Sequence, residues 1–481
     1  MQRFLHIWLV LLVYMAGCDG PKPNPNAAAP GENKTAAPLR VLVVDDPEMA
    51  AAIREQWSTR STGQELVVDT AAADDLKTAQ RLSADVLVFP TPMLGELAEG
   101  ELIQPLTDRL SQSDKAEIQR SSLNPQDWFA NVRQGEASWG RKLYAAPLGC
   151  PRLVLFYRRD LFEKLKLEPP ATWDAYAAAV KALSDRDSLG DLAPAAGHPW
   201  HATLEPLGGD WAGITLLARA AASVQAEGQM YTLFNGDDVA ARIAAEPYVR
   251  ALDQLAEANS AGGNPSPALT PAEVWQAMLR GECGMALTWP AAAGRSVKEP
   301  AAPLACAELP GSGDAFSFKA GSWSKREGDG RAVLLASEGR LAAVTREARR
   351  SKEAFELVAW LSGSEATVAI SAASEHTTFF AHSQSGQAAA WTGPLTAPVL
   401  QQYVEVVEKC GQRAAALPVL RLPGSDVYRT ALADAVRERL AGKLSSADAL
   451  ATAAKAWDAE TARRGVSQQK RAYQRSLGND Y

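Results

Sequence analysis

Histidine and cysteine are scarce in this sequence, five of each among 481 residues, and they form no Cys-x-x-Cys pair and no histidine cluster. A metal centre is therefore not expected. His198 and His201 stand close together, but no third ligand follows at a useful spacing and Pro199 stiffens the stretch between them. Also missing are a Walker loop, a Gly-x-Ser-x-Gly elbow and a His-Glu-x-x-His helix. Ser322-Trp323-Ser324-Lys325 and the stretch Ser467 to Lys470 fit a Ser-x-x-Lys spacing, yet no Ser-Asp-Asn or Lys-Thr-Gly follows, so both are read as chance. No cofactor and no catalysis are expected. Carboxylate pairs for glycoside hydrolysis have no recognisable spacing, so a carbohydrate-processing enzyme stays open as an alternative. Positive charge is in deficit: 49 Lys and Arg stand against 56 Asp and Glu, for a net charge of -7. Binding to a phosphate backbone is thereby excluded, since it is driven by Lys and Arg. The basic residues Arg463, Arg464, Lys470, Arg471 and Arg475 read as belonging mostly to a polar tail over 466–481.

What is present begins at the N-terminus. Arg3 is followed by an apolar stretch from Phe4 to Ala16, broken by His6 and too short to span a bilayer comfortably, then by Gly17 and Cys18. This is the plan of an export signal. Ala16-Gly17-Cys18 resembles the lipobox of bacterial lipoproteins, in which the cysteine is acylated and becomes the new N-terminus; Met15 stands where leucine is usual. Residues 1–18 are thus expected to be a lipoprotein signal ending at Cys18. Residues 19–38, with Pro21, Pro23, Pro25, Pro30 and Pro38 among polar and small residues, read as an extended tether. Four cysteines remain beyond it, Cys150, Cys283, Cys306 and Cys410. A Cys283–Cys306 bridge and four buried free thiols are both compatible with their positions.

With 47% apolar and 22% charged residues, the remainder has a globular composition, and its length suits two lobes. From Leu39 the pattern alternates strand and helix: Arg40 to Val44, a helix carrying Met49, Ile53 and Trp57 on one face, Glu65 to Val68, a helix from Asp74 to Leu82, then Ala84 to Phe89. That alternation predicts an α/β fold with a mostly parallel sheet. Arg152 to Tyr157 opens a second α/β lobe. Residues 184–213 and 310–330 read as loops, the first rich in aromatics. Cys283 to Thr288 and Leu341 to Thr345 read as strands, and three amphipathic helices fill the stretch from about Pro398 to Arg464.

The segment Gly140 to Leu183 (GRKLYAAPLGCPRLVLFYRRDLFEKLKLEPPATWDAYAAAVKAL) resembles family 1 of the extracellular solute-binding proteins, the maltose-binding type. Supporting pieces start at Ala84 (ADVLVFPTPMLGELAEGELIQPL), Met278 (MLRGECGMALTWP) and Gly339 (GRLAAVTREARRSKEAFELVAWLS). The likeness runs from about Leu39 to Gly465. It implies a periplasmic-binding-protein-like α/β fold with two discontinuous lobes, 39–147 with about 334–385 and 148–333 with about 386–465. It implies an interlobe cleft that closes about a hinge, a small-molecule solute such as a sugar, and ABC permease subunits as partners of a lipid-anchored monomer. A sensor lipoprotein of the same fold remains an alternative role.

A sugar offers an apolar C–H face and a rim of hydroxyls, so its site needs aromatic platforms and hydrogen-bonding carboxylates. Tryptophan is abundant, 13 residues against 10 Tyr and 11 Phe. Trp289 follows the strand that resembles the family's site-lining strand, and Trp211 follows Gly208-Gly209-Asp210. Asp45 and Asp46 end the first strand, where ligands of open α/β sheets gather, although Asp46 also stands where a helix cap belongs before Pro47. Gly339 and Arg340 lie where the resemblance returns the chain to the first lobe. The expected ligand residues are Trp289, Trp211, Asp210, Asp45, Asp46, Gly339 and Arg340. Trp57, Trp173, Trp360 and Trp457 are expected in the core.

Overall fold

The computed structural model describes residues 37–60, 63–112, 123–194, 197–225, 228–261, 268–363 and 365–479. The expected export signal, Cys18 and all but the last two tether residues lie outside the described residues. Pro38–Tyr481 form one compact unit that contains both sheets and their cores, so this stretch folds as a unit by itself.

Nine strands make the two main sheets: β1 (Leu39–Val44), β2 (Leu66–Ala71), β3 (Val86–Pro90), β4 (Ala146–Gly149), β5 (Val154–Arg158), β6 (His201–Leu204), β7 (Cys283–Thr288), β8 (Leu304–Ala307) and β9 (Arg340–Val344). The first sheet has the order β2-β1-β3-β9-β4 and the second β8-β5-β7-β6. Val41, Val43, Val86, Leu87, Val88, Phe89, Leu341, Ala342 and Ala343 are fully buried, as expected of strands covered on both faces. The first sheet is parallel only among β1, β2 and β3. β9 is antiparallel to both β3 and β4, a departure from the mostly parallel sheet expected, because β9 enters from the other lobe and runs against its neighbours.

The chain passes between the two sheets twice, from β4 to β5 and from β8 through the strand Val333–Leu335 to β9, and the crossing segment after the helix Glu365–Ala373 touches the ends of both, Ser374 at Asp46 and Glu375 at Trp289. Three helices, Ala397–Gln412, Ser425–Leu440 and Ser446–Arg464, occupy the stretch where three amphipathic helices were expected. The helix expected from Asp74 to Leu82 is confined to Ala73–Leu76. The two expected loops also hold structure: 184–213 contains β6, and 310–330 contains the hairpin Asp314–Ser317 with Ser322–Lys325. Trp173, Trp360 and Trp457 are buried, and half-buried Trp57 packs edge-on against Trp360 at 5.1 Å.

One open alternative is decided and one expectation is corrected. Cys150, Cys283, Cys306 and Cys410 are free and buried. The Cys283–Cys306 bridge is blocked by topology: β5 lies between β7 and β8, so the two cysteines are at least two strand spacings apart, about 9–10 Å or more, beyond the Cα separation a disulfide tolerates. Residues 466–481 are not merely a polar tail. Val466–Ser476 form a helix whose Gln469, Ala472 and Tyr473 are buried. The Tyr473 hydroxyl accepts the Leu233 N–H at 3.2 Å, while Arg475 donates to Glu99 at 2.9 Å and its carbonyl accepts the Gly140 N–H at 2.8 Å. Tyr473 and Arg475 thus tie the helix to the segments around Leu233, Glu99 and Gly140.

Candidate functional site

The facing edges of the two sheets carry the chemistry. On the first sheet, Arg340 pairs across to Pro90 on one side and Gly149 on the other, so the ends of β3, β4 and β9 meet beside the end of β1. Asp45, the residue after β1, adopts a left-handed backbone with φ 49°, a conformation that costs a non-glycine residue energy and marks a turn forced by its surroundings. Its carboxylate accepts the Ala73 N–H at 3.2 Å and it remains exposed. Gly339, at φ 128°, has no room for a side chain: a Cβ there would sit 2.7 Å from the Gly149 carbonyl and 2.8 Å from the Thr91 hydroxyl. That hydroxyl is buried and has no hydrogen-bond partner among the described residues.

Asp46 and Arg340 depart from their expected role. Each is 1% exposed. Asp46 caps the helix Pro47–Ser58 by accepting the Met49 N–H at 3.0 Å, accepts the Ser374 hydroxyl at 2.6 Å and lies 2.9 Å from Arg340 Nε. Arg340 also donates to Glu338 at 2.9 Å, to the Gly339 carbonyl at 3.0 Å and to the Asp45 carbonyl at 3.0 Å. Charges so paired and enclosed shape a wall instead of facing a solute.

Glu338 links this network to the surface. Its second carboxylate oxygen lies 3.5 Å from Nδ1 of His376, whose side chain is 40% exposed. Burial raises the Glu338 carboxyl, but the hydrogen bond and charge of His376, the charge of Arg340 and the Gly339 N–H together outweigh it and hold it at about 2. Glu338 is therefore ionised at neutral pH. Ser374, Glu338, His376 and Thr91 were not singled out from the sequence. Glu338 adjoins the Gly339-Arg340 pair, a usable signal, whereas Ser374 and His376 sit in a crossing segment with no periodic pattern.

On the second sheet, Trp289 follows β7 and Trp211 opens the helix Trp211–Val224. Their rings pack 5.4 Å apart at 51°. Trp289 is 2% exposed, and its indole N–H donates to the Glu375 carbonyl at 3.3 Å; Trp211 is half-buried and forms the outer ring of the pair. Glu375 lies between Ser374 and His376, so the tryptophans and the ionic network meet at one segment. Asp210 turns away, 3.3 Å from Arg429 of the helix Ser425–Leu440. Lys77, just past the helix Ala73–Leu76 beside the first sheet, pairs with Asp426 of that same helix at 2.6 Å.

No group of three or more His, Cys, Asp or Glu that could hold a metal occurs among the described residues. No helix among them is long and apolar enough to cross a membrane.

Residues 43–368 match the model of the bacterial extracellular solute-binding proteins. A binding protein of Brucella abortus (strain 2308) is 30% identical over 105 residues, which are 21% of this chain and 23% of that protein; the match spans about a quarter of that relative's length. Among solved structures, the solute-binding protein of an ABC transporter from Agrobacterium radiobacter K84, in complex with ribitol, superposes with a TM-score of 0.62 at 16% identity over 88% of this chain and 98% of that one. One from Agrobacterium vitis S4 with bound D-mannitol gives 0.58 at 17% identity over 89% and 99%. The Thermus thermophilus maltotriose-binding protein, bound with maltotriose, gives 0.56 at 17% identity over 87% and 99%. Together these give the two-lobed periplasmic solute-binding fold.

Proposed function

The chain belongs to the bacterial extracellular solute-binding proteins, and from that premise we propose that it captures a polyol or short oligosaccharide between its lobes for an ABC importer, without catalysing a reaction. The observation that carries this reading is the Trp211–Trp289 pair on one lobe meeting the Asp45, Glu338 and His376 cluster of the other at a single crossing segment. An aromatic face matches the C–H surface of a sugar or polyol, and carboxylate and imidazole groups match its hydroxyls. A solute touching both walls favours the closed arrangement, because only differential affinity shifts a two-state equilibrium. Similar proteins hold ribitol, mannitol and maltotriose, which fits the same chemistry. Asp45 and Trp211 are the proposed direct contacts, Trp289 backs Trp211, and Asp46, Gly339 and Arg340 set the wall.

Calorimetric titration of residues 38–481 with pentitols, hexitols and maltodextrins tests the reading. Binding of at least one of them, weakened by Trp211→Ala, is the expected result; binding confined to amino acids, peptides or metals would overturn it. Cys18 is proposed to carry the lipid that keeps the receptor beside its permease. Incorporation of labelled palmitate into the full chain, and its loss in Cys18→Ser, is the corresponding check.

A further inference from the structure

The last turn of the helix Val466–Ser476 touches two chain segments that belong to different sheets. Tyr473 faces the connection between β6 and β7: its hydroxyl accepts the N–H groups of Leu233 at 3.2 Å and Phe234 at 3.4 Å, and its ring meets Phe234 edge-on at 5.3 Å. Two and three residues further on, the same turn faces the connection between β3 and β4. The Arg475 carbonyl accepts the Gly140 N–H at 2.8 Å, and its guanidinium donates to Glu99 at 2.9 Å. The Ser476 carbonyl accepts Arg421 at 3.2 Å, and that fully buried guanidinium also donates to the Glu136 carbonyl at 2.9 Å. Tyr473 and Ser476 are about 4.5 Å apart along the helix axis, so a single turn reaches both connections.

The rest of the helix rides with the β6–β7 side. Lys470 donates to the Asp237 carbonyl at 2.8 Å, and Gln469 donates to the Pro423 carbonyl at 2.9 Å. At its start Gly465, with φ 98°, lets the chain turn out of the preceding helix Ser446–Arg464. Beside the last turn lies open space. A crevice of about 770 Å³ is lined by Met230 and Leu233 from one connection, by Ser138 and Gly140 from the other, and by Tyr473 and Ser476. The turn thus borders a gap between the two connections and ties them across it.

We propose that this helix is a strap, a tie outside the ligand cleft that holds the two lobes near their present spacing and limits how far the receptor opens without solute. The proposal rests on the two-lobed fold and not on the class of solute. Moving the β3–β4 connection away from the β6–β7 connection strips the contacts at one end of the turn, and contacts made in one arrangement alone shift the population towards it. The Arg475–Glu99 pair, with side chains 43% and 22% exposed, is screened by solvent and adds little. The main-chain bonds to Gly140 and Arg421 carry more of the tie.

Small-angle X-ray scattering of residues 38–481 without solute tests this. A compact chain of that length has a radius of gyration of about 22 Å. The chain ending at Gln474, which keeps the Tyr473 end of the strap and loses the other, is expected to be about 1 Å larger, as hinge opening of two lobes would make it. Ending the chain at Arg464 should add nothing further, because a strap released at one end holds nothing. Arg475→Glu, an exposed change that repels Glu99, should give part of the same expansion and stands in for the shortened chains if they fold poorly. An unchanged radius in the chain ending at Gln474, or a second expansion on removing the rest of the helix, would overturn the proposal; if the shortened chains do not unfold cooperatively, an unchanged radius in Arg475→Glu overturns it instead. No solute enters the measurement, so its outcome is separate from polyol or oligosaccharide binding in the cleft.

Discussion

The two walls proposed for the interlobe cleft are built on opposite physical plans. The first-lobe wall is ionic: Arg340 is enclosed by Asp46, Glu338 and two carbonyls, and the network surfaces at His376 and at Asp45. The second-lobe wall is aromatic, one tryptophan buried and one half-exposed. Buried charges hold direction, because any rotation leaves a group unpaired at high cost. Stacked rings offer area that tolerates sliding. A receptor made this way fixes the hydroxyl partners on one lobe and lets the other lobe settle onto the solute as the hinge closes.

The comparison is broken most forcefully at Arg340. Replacing it by methionine strands Asp46 without a cation and leaves Glu338 with His376 alone, and a loss of about 3–5 kcal/mol in unfolding free energy is expected, read as a lower urea midpoint. If Arg340→Met instead keeps the midpoint and loses only solute affinity, Arg340 is a ligand residue and the wall is not a scaffold. On the aromatic side the effects should separate. Trp289→Ala empties a closed site and should destabilise by about 3–5 kcal/mol. Trp211→Ala, at a half-exposed ring, should leave the midpoint nearly unmoved and cost about 2 kcal/mol of affinity, roughly thirtyfold in Kd.

The pH dependence sharpens the ionic half. The Glu338 carboxyl is held at about 2, below its ordinary 4.5, so its ionised form is favoured by folding. Its contribution to stability is complete above about pH 5 and is lost as pH falls from 4.5 towards 2. The stability gap between wild type and Glu338→Gln should narrow as the pH falls from 5 to 3. A gap that stays constant over that range would remove Glu338 from the network.

How much of this was legible beforehand divides along the same line. Strands and helices of the first lobe follow from runs such as Val41 to Val44 and Val86 to Phe89 and from the Asp46-Pro47 cap, because periodicity and capping are local signals. The tryptophans stood out by type and by position after a strand or a glycine pair. The ionic network did not, since Asp46 is joined to Ser374 and to Arg340 across hundreds of residues, and no local pattern encodes such a meeting. Arg340 was singled out as a ligand contact because exposure cannot be read from residue type. The helix Val466–Ser476 was read as part of a tail because its basic residues dominate the composition, although Ala472 and Tyr473 supply a buried face.

The smallest expected effect lies at the proposed rim of the cleft, where Lys77 and Asp426 pair. The pair holds the Asp426 carboxyl below its usual range against the opposing effect of burial, and hydrogen bonds to Asp426 and Asp74 raise Lys77. Both side chains are about a third exposed or more, so solvent screens them and the pair is worth less than about 1 kcal/mol. It exists only while the lobes are close. Lys77→Ala should therefore weaken solute binding by a few-fold at low ionic strength and by almost nothing at 0.5 M salt, where the Debye length falls to about 4 Å, with the unfolding midpoint unchanged at both. A salt-independent loss of affinity would mean instead that Lys77 touches the solute, and the ionic wall of the cleft would then extend to its rim.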